Sequence, residues 1–256
     1  MPRAAKLVVR TAAFLHGVFG LGERRCVACH APFLPDTPHA EDLCLSCRSR
    51  LARFTAIGCP LCGTPAVAPE DSGLPCGNCL LDPPPWSILI FHGLYADLLQ
   101  ALLLRLKFGG DFSTARLLGN LLAKDCAELP PVDAIVPLPR HPVRLRGRGF
   151  NQAGELARAV ALRMHVPLKR ELLFRTMNPP PQEHLTARQR QKNPEGSFSA
   201  RNVHQTRILL IDDTMTTGAT LRHAARALRD GGAGDIYVAV AARTPPPGYG
   251  TGPEKA

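Results

Sequence analysis

The chain has 256 residues, enough for one sizeable core and a smaller module. A hydrophobic content of 45% with 20% charged residues excludes an intrinsically disordered chain, and no stretch approaches the ~20 apolar residues of a membrane-spanning helix. The net charge of +10 favours an anionic partner, such as a phosphorylated metabolite or a nucleic acid. We therefore expect a cytoplasmic protein without a membrane span.

The two ends of the chain carry weaker signals than the middle. Residues 1–22 contain a short apolar stretch that Arg10 and His16 interrupt, without an evident small-residue cleavage site. This pattern is typical of an amphipathic helix that packs on the next domain rather than of a signal peptide. Residues 245–256 are rich in glycine and proline and are expected to form a flexible tail.

Eight of the nine cysteines form four Cys-x-x-Cys pairs within residues 23–82. The first two pairs are separated by 14 residues and the last two by 13, which is close to the spacing of structural zinc sites. Four regularly spaced pairs disfavour a redox dithiol, the rival interpretation. The pattern therefore predicts two structural Zn²⁺ sites. The predicted ligands are Cys26, Cys29, Cys44, Cys47, Cys59, Cys62, Cys76 and Cys79.

The spacing leaves the pairing of these motifs open. Joining the first pair with the second and the third with the fourth fits the sequence, and a crossed arrangement would also give two sets of four thiolates. His30 and His39 could substitute as ligands, although four thiolates already complete a tetrahedral site. Closed sites of this kind have no free position for water or substrate, so the predicted role of the metal is structural.

A second domain is predicted over residues 83–244, beginning at the three prolines 83–85. Apolar patterns predict strands at 86–94, within 132–140, and at 172–176, 207–211 and 235–241, with helices at 95–107, 112–129, 152–165 and 221–230. Strands that alternate with helices imply an α/β fold, a mainly parallel sheet flanked by helices. In such sheets ligands bind at the carboxyl ends of the strands.

Two polar segments of this domain are candidates for ligand binding. A rigid Val-Pro-Leu-Pro-Arg turn at 136–140 is followed by Arg144, Arg146 and Arg148 without an intervening acid. Guanidinium groups beside glycines suit a pyrophosphate or a DNA backbone, and the alternative is a solvated basic loop. The proline-rich stretch 178–198 is either a surface loop or a lid that closes over substrate.

The most informative segment is 207–220, in which an apolar run ends in Asp212 and Asp213. A loop of threonines and glycine follows, and a helical pattern begins at Leu221. Backbone N–H groups at a helix N-terminus bind phosphate, and Gly218 lets the backbone approach it closely. The two carboxylates can accept hydrogen bonds from vicinal sugar hydroxyls. A plain helix cap needs only one Asp or Thr, so a ribose 5-phosphate site is favoured.

These segments resemble a known family. Residues 207–220 are similar to the phosphoribosyl-pyrophosphate (PRPP) signature of type I phosphoribosyltransferases, and the chain as a whole resembles the ComF family, which includes relatives called GntX. The motifs are the cysteine pairs, Leu-Lys-Phe at 106–108, Val-Pro-Leu-Pro at 136–139, Arg-Gly-Arg-Gly-Phe-Asn-Gln at 146–152, a spaced Gln-Leu-Arg-Asn-Phe pattern at 182–198 and the Asp-Asp-Thr segment. The resemblance implies a double zinc ribbon at 23–82 followed by a type I phosphoribosyltransferase fold.

The resemblance also implies a role for each predicted site residue. Asp212 and Asp213 would hold the ribose hydroxyls of PRPP or ribose 5-phosphate, and the loop behind them would hold the 5-phosphate. The residues of that loop are Thr214, Thr216, Thr217, Gly218 and Thr220. The pyrophosphate, with Mg²⁺, would lie at the turn formed by Pro137, Leu138, Pro139 and Arg140.

Two functions are compatible with the sequence. The first is a phosphoribosyltransferase, a glycosyltransferase-class enzyme in which Mg²⁺ and arginine stabilise the departing pyrophosphate, with an acceptor that no sequence feature identifies. The second is a catalytically silent module of natural competence that binds single-stranded DNA, together with other competence proteins. Zinc ribbons and a basic face suit this second function, although only 5% of the residues are aromatic.

Overall fold

The computed structural model describes residues 23–35, 42–55, 58–66, 70, 73–140, 145, 149–175 and 198–244. The predicted helix at 1–22, the stretch 178–197 and the tail at 245–256 lie outside the described residues. The chain divides into two compact units, Met1–Ala52 and Arg53–Ala256. This division precedes the predicted boundary at residue 82, because the second half of the cysteine-rich segment packs within the larger unit.

The smaller unit consists of a minimal hairpin and a short helix around one set of cysteines. Strand β1 (Arg24–Arg25) pairs antiparallel with β2 (Pro32–Phe33), and helix α1 (Leu45–Arg50) follows. Leu43 and Leu51 are buried there. So few large apolar side chains bury little surface, and a unit of this size therefore depends on another source of stability.

The larger unit contains the remaining elements. In chain order they are α2 (Gly77–Leu81), β3 (Ile88–Leu94), α3 (Asp97–Gly109), α4 (Phe112–Asp125), β4 (Ala134–Pro137), α5 (Gln152–Met164), a 3₁₀ turn (Arg170–Leu172), β5 (Leu173–Arg175), β6 (Phe198–Ala200), β7 (Ile208–Met215), α6 (Ala219–Asp230) and β8 (Ile236–Arg243). Local chemistry sets several of these limits. Gly110 adopts a left-handed conformation (φ 61°) that ends α3, and the side chain of Asp111 accepts a hydrogen bond from Thr114 N–H at the start of α4.

One parallel sheet organises the larger unit, with strand order β3-β8-β7-β4. The central strands β7 and β8 contain long apolar runs that are fully buried, as expected for strands covered on both faces. On one face, Leu210 and Val238 pack with α6 and with the antiparallel β5–β6 pair. Helices α4 and α5 pack against the other face and against each other. A Cβ at Gly119 would lie only 2.4 Å from Cβ of Ala159, so glycine permits this close approach.

The carboxyl ends of β4 and β7 point toward the same end of the sheet, and β7 extends four residues beyond the last residue of β4. Pro137 is paired with Ile211, and Leu138 N–H donates a 2.8 Å hydrogen bond to the carbonyl oxygen of Ile211. Both segments that were predicted to bind ligand therefore lie at the end where parallel sheets bind ligands. The predicted fold class, a mainly parallel sheet flanked by helices with a small cysteine-rich N-terminal module, is confirmed. Among the described residues, no helix is long and apolar enough to cross a membrane.

Candidate functional site

The eight paired cysteines form two clusters, and the pairing is sequential. Cluster 1 consists of Cys26, Cys29, Cys44 and Cys47, and cluster 2 of Cys59, Cys62, Cys76 and Cys79. The sulfur atoms of each cluster lie within 4.8 Å of one another, with Cys29 and Cys44 Sγ 3.8 Å apart and Cys62 and Cys76 Sγ 3.6 Å apart. A tetrahedron with Zn–S bonds of ~2.3 Å has edges of about 3.8 Å. Both clusters are therefore zinc-binding sites, and His30 belongs to neither.

Both clusters are built from the same local elements. The first two cysteines of each flank a tight turn, closed by hydrogen bonds from His30 N–H to Cys26 O (2.8 Å) and from Gly63 N–H to Cys59 O (2.9 Å). The third cysteine of each cluster occupies the N-cap position of a short helix, α1 or α2, and the fourth lies within that helix. One turn and one helix N-terminus thus present four sulfur atoms to a single point.

The environment of the sulfur atoms prepares them for a metal ion. Burial raises the pKa of the Cys26 thiol, but backbone N–H groups around it lower the pKa to about 7 overall. The same balance gives Cys59 a pKa of about 7. Burial and the neighbouring thiols raise the pKa of Cys47 and of Cys79. Four thiolates are therefore held together only when a cation compensates their charge, and this requirement is what a structural Zn²⁺ satisfies.

The acidic pair lies inside β7 and not after it. The sequence predicts that the strand ends at Ile211, but β7 continues to Met215 because β8 pairs with it as far as Arg243. Asp212 and Asp213 are consequently half-buried rather than exposed at a strand end. The Asp212 carboxylate accepts a 2.9 Å hydrogen bond from the backbone N–H of Asp213. The prediction of the strand end was therefore wrong, although the acids do lie toward the carboxyl end of the sheet, on the same side as the turn after β4.

The acidic pair interacts electrostatically with an arginine in the turn after β4. Burial raises the pKa of Asp212 well above its ordinary value, and the negative charge of Asp213 raises the pKa of Asp212 further. The guanidinium of Arg140 lowers the pKa of Asp212 and so acts in the opposite direction. Arg140 belongs to the turn after β4, so the two predicted ligand segments lie within electrostatic reach of each other.

The loop between β7 and α6 presents hydroxyl groups and the N-terminus of a helix. The side chains of Thr216 and Thr217 are exposed, and Thr220 is half-buried in the first turn of α6. Gly218 directly precedes α6 in a left-handed conformation (φ 77°), and a Cβ there would lie 2.6 Å from Cε of Met215. Both features require glycine. The first N–H groups of α6 have no partner within the helix, and the helix dipole favours an anion there.

The turn after β4 borders a cavity of about 370 Å³. Pro137, Pro139 and Arg140 belong to its lining. Asn151, which precedes α5, holds the turn in place by donating from Nδ2 to the carbonyl oxygen of Leu138 at 3.0 Å. The Oδ1 atom of Asn151 is buried and accepts no hydrogen bond within the described part of the chain. The turn therefore has a fixed conformation beside a space of ligand size.

Comparison with known proteins identifies the family. Residues 20–80 match the model of the double zinc ribbon domain. The DNA utilization protein YhgH of Escherichia coli K12 is 35% identical over 209 residues, which cover 79% of this chain and 90% of that protein. The competence protein ComFC of Bacillus subtilis is 30% identical over 235 residues, covering 83% of this chain and 92% of that protein. The chain belongs to the ComF family.

Similarity to solved structures is more limited. The glutamine PRPP amidotransferase of Bacillus subtilis, complexed with ADP and GMP, superposes with a TM-score of 0.36 and 19% identity, over 49% of this chain and 25% of that chain. A superposition of this extent identifies no activity. The architecture of this ComF chain is established by its own parallel sheet.

The structure brings together part of the predicted site. Arg140 lowers the pKa of Asp212. The lining of the 370 Å³ cavity includes Arg140, but it includes neither of the two acids nor Thr216–Gly218, which we call the threonine loop. The basic residues Arg144, Arg146 and Arg148 lie outside the described residues. Their role in binding an anion therefore stays a prediction.

Sequence reasoning missed two arginines beside the threonine loop. Arg243, the last residue of β8, is only 8% exposed, and its Nη1 donates to the carbonyl oxygen of Thr216 at 2.5 Å. Arg222, in the first turn of α6, donates from its side-chain Nη1 to the carbonyl oxygen of Asp82 at 3.1 Å. One signal was available, because a charge at the end of an apolar strand must find partners when it is buried. No local pattern identifies those partners.

Proposed function

We propose that this ComF chain is a cytoplasmic phosphoribosyltransferase-like protein that binds PRPP or ribose 5-phosphate, with Mg²⁺, at the loop between β7 and α6. One observation carries the proposal: the acidic pair of β7 directly precedes a threonine-rich loop at the N-terminus of a helix, with Arg140 within electrostatic reach. Helix N–H groups and hydroxyls suit a 5-phosphate, and carboxylates suit ribose hydroxyls. The names of the relatives, a competence protein and a DNA utilization protein, support a role in natural competence.

In this proposal, two segments of the chain bind different parts of the ligand. The hydroxyls of Thr216 and Thr217 would hold the 5-phosphate, while Arg140 would face the pyrophosphate. In a transfer reaction the bond between C1 of the ribose and the pyrophosphate oxygen breaks, and its electron pair leaves with the pyrophosphate. The acceptor then supplies the electron pair of the new bond at C1 and gives up a proton. Arg140 would stabilise the charge of the leaving group, and bound Mg²⁺ would neutralise part of it.

Calorimetry with PRPP and with ribose 5-phosphate, in the presence of Mg²⁺, tests the proposal. Asp213→Asn and Thr217→Ala should weaken both ligands by roughly tenfold to hundredfold, since a charge-assisted hydrogen bond contributes about 1.5–3 kcal/mol. Gly218→Val should weaken binding more, because its side chain would enter the space of the phosphate and collide with Met215. Thr206→Ala, placed just before the other end of β7, is the matched control and should bind normally.

Failure to bind PRPP would overturn the proposal. Folded wild-type protein with two zinc ions bound, and no detectable interaction with millimolar PRPP and Mg²⁺, would exclude a PRPP site. Release of pyrophosphate when candidate nitrogen acceptors are added to the PRPP complex would identify a transferase.

A second candidate function, binding of single-stranded DNA without turnover, is favoured by one aromatic surface. Phe108 and Phe112 are 71% and 51% exposed, at the end of α3 and the start of α4. Lys107 Nζ lies 5.4 Å from the ring centroid of Phe108, and the rings of Phe112 and Phe150 meet edge to face at 5.5 Å. Aromatic faces beside cations stack bases without sequence preference. Oligonucleotide binding that weakens with salt, and with Phe108→Ala, would favour this function.

A further inference from the structure

Cluster 2 and the threonine loop share a buried arginine. The guanidinium of Arg243 donates from Nε to the carbonyl oxygen of Cys62 at 2.9 Å. Its Nη1 donates to the carbonyl oxygens of Met215 (3.4 Å) and Thr216 (2.5 Å), and also to that of Thr244. One planar group thus joins a turn that presents zinc ligands to the first residues of the loop. A guanidinium has five N–H donors in a fixed fork, so the distance between these two backbones is set by its geometry.

A second arginine joins the other end of the loop to the other half of cluster 2. Arg222 lies in the first turn of α6, where its backbone makes the ordinary helical bond to Gly218 O (2.9 Å), so its side chain starts directly behind the loop. Its side-chain Nη1 lies 3.1 Å from the carbonyl oxygen and 3.2 Å from the carboxylate Oδ2 of Asp82. Asp82 follows directly after α2, the helix that contains Cys79. Each end of the loop is therefore attached to a different half of the same cysteine cluster.

Cluster 2 is itself attached to the sheet, which gives these attachments a fixed base. Trp86 Nε1 donates to the carbonyl oxygen of Leu61 at 2.8 Å, and Leu89 N–H donates to that of Pro60 at 2.9 Å. Gly63 lies against β3, because a Cβ there would be 2.7 Å from Cε1 of Phe91. A change in the turn around Cys59 and Cys62 would therefore reach the loop through Arg243.

We propose that Arg243 and Arg222 are positioning residues that couple zinc binding at cluster 2 to phosphate binding at the loop between β7 and α6. This inference rests on the proposed function, because it takes that loop to be the phosphate site. Zinc fixes the two halves of cluster 2 by drawing four thiolates together. The arginines transmit that geometry to the carbonyl oxygens of the loop, so that the N–H groups on its opposite side are arranged for an anion.

Linkage gives the coupling a second, reciprocal consequence. If zinc at cluster 2 raises the affinity for the phosphate, the bound phosphate must raise the affinity for zinc by the same factor. A purely structural Arg243, one that only satisfies carbonyl oxygens at the end of β8, would stabilise the fold without this reciprocity. The two roles are distinguished by measuring zinc release with and without ligand.

The experiment uses the full chain loaded with zinc. Zinc release to a chromophoric chelator is measured with and without ribose 5-phosphate, and the affinity for ribose 5-phosphate is measured by calorimetry. Arg243→Met removes the bridge, and Arg243→Lys keeps the charge but replaces the planar fork of five donors with a single ammonium group. Both variants should weaken ribose 5-phosphate about 5- to 100-fold, the range of ordinary coupling, and should abolish the slowing of zinc release by the ligand. Arg222→Ala should give a smaller effect of the same kind.

Arg226→Ala is the matched control. Arg226 lies one turn further along α6, away from the loop, and its contact with Asp82 is a long one of 4.0 Å to Oδ1, whereas Arg222 reaches both the carbonyl oxygen and the carboxylate of Asp82. The Arg226→Ala variant should behave as wild type. Hydrogen exchange of the amides of residues 216–219, measured without ligand, provides a separate readout and should be faster in Arg243→Lys. Wild-type protein that does not bind ribose 5-phosphate would overturn the proposed function. Wild-type-like exchange and zinc release in folded Arg243→Met and Arg243→Lys proteins would overturn the coupling alone.

Discussion

The two cysteine clusters have the same local structure in very different surroundings. In both, a tight turn and the N-terminus of a short helix present four sulfur atoms. Cluster 1 lies in the smaller unit, where Cys29 is exposed and few large apolar side chains are buried. Cluster 2 lies in the larger unit and contacts the parallel sheet.

One position shows how the surroundings select the residue. The residue after the second cysteine of each turn has a positive φ, 62° at His30 and 69° at Gly63. His30 is exposed, so its side chain meets solvent. At Gly63 there is no room for a side chain, because a Cβ would collide with Phe91 of the edge strand β3. The same backbone conformation therefore tolerates a side chain in cluster 1 and requires glycine in cluster 2.

Strand β3, which forms one lateral edge of the sheet, explains why cluster 2 belongs to the larger unit. The outer edge of β3 is covered by two segments around the cluster, through hydrogen bonds from Phe54 N–H to His92 O (2.8 Å) and from Leu89 N–H to Pro60 O (2.9 Å). An uncovered edge strand would be open to pairing with another chain. Cluster 2 thus completes a domain, whereas cluster 1 stabilises a small unit of its own. A repeated metal motif need not have a repeated role.

The largest expected effect comes from removing one ligand of each cluster in turn. Wild-type protein should contain two zinc ions and each variant one. Cys79→Ser should lower the free energy of unfolding of the larger unit by about 4 kcal/mol or more, because metal and sheet stabilise it together. Cys47→Ser should leave that unfolding free energy unchanged and expose residues 23–52 to protease. The fluorescence of Trp86, the single tryptophan, reports on the larger unit.

Two results would contradict this asymmetry. Equal losses of stability in the two variants would show that the clusters have equivalent roles. A zinc content near zero in reduced wild-type protein would remove the basis of the comparison.

A smaller effect is expected at the position after the second cysteine. Gly63→Ala should cost about 1–3 kcal/mol, because the new Cβ must displace Phe91 while the backbone keeps a positive φ. His30→Ala, the matched substitution in cluster 1, should cost less than about 0.5 kcal/mol. Chemical denaturation followed by Trp86 fluorescence measures the first, and protease resistance of residues 23–52 measures the second. Equal tolerance at both positions would mean that contact with β3 does not constrain cluster 2.

The sequence predicts these clusters well because their determinants are local. The distances from Cys26 to Cys47 and from Cys59 to Cys79 along the chain are short, and the motif spacing identifies the ligands. The alternation of strands and helices is also a local signal, and it predicted the parallel sheet. What the sequence could not predict depends on pairing at long range. Arg243 and Cys62 are 181 residues apart, and only the folded sheet brings them together.

The extent of β7 has the same explanation. An acidic pair after an apolar run is typical of a strand end, and the sequence therefore predicted one at Ile211. The strand continues to Met215 because β8 offers backbone partners as far as Arg243. The Thr216–Gly218 loop was predicted correctly as a loop, since glycine and the start of the next helix are visible locally. Its attachment to cluster 2 was not visible, because Cys62 and Asp82 belong to a segment predicted as a separate domain.

The smallest expected effect concerns the stability cost of Asp212 at the proposed ligand site. Burial raises the pKa of Asp212, which means that folding disfavours its charged form. Asp212→Asn should therefore raise the melting temperature at pH 7 in magnesium-free buffer by a few degrees, since ~1 kcal/mol shifts a domain of this size by about 2–4 °C. The same variant should bind ribose 5-phosphate more weakly, because a carboxylate acceptor is lost.

The effect of Asp212→Asn on the melting temperature should depend on pH. An acid whose folded pKa is raised destabilises the folded state in full above that pKa, and the penalty shrinks as the pH falls from the raised pKa to the lower pKa of the unfolded chain, where it vanishes. The difference in melting temperature between Asp212→Asn and wild type should therefore shrink as the pH falls through the raised pKa of Asp212. Asp230→Asn, exposed at the end of α6, is the control and should show no such trend. A constant difference at every pH would mean that the folded state does not disfavour the charge. If the trend is found, the larger unit maintains an acid that is unfavourable to folding at the proposed ligand site.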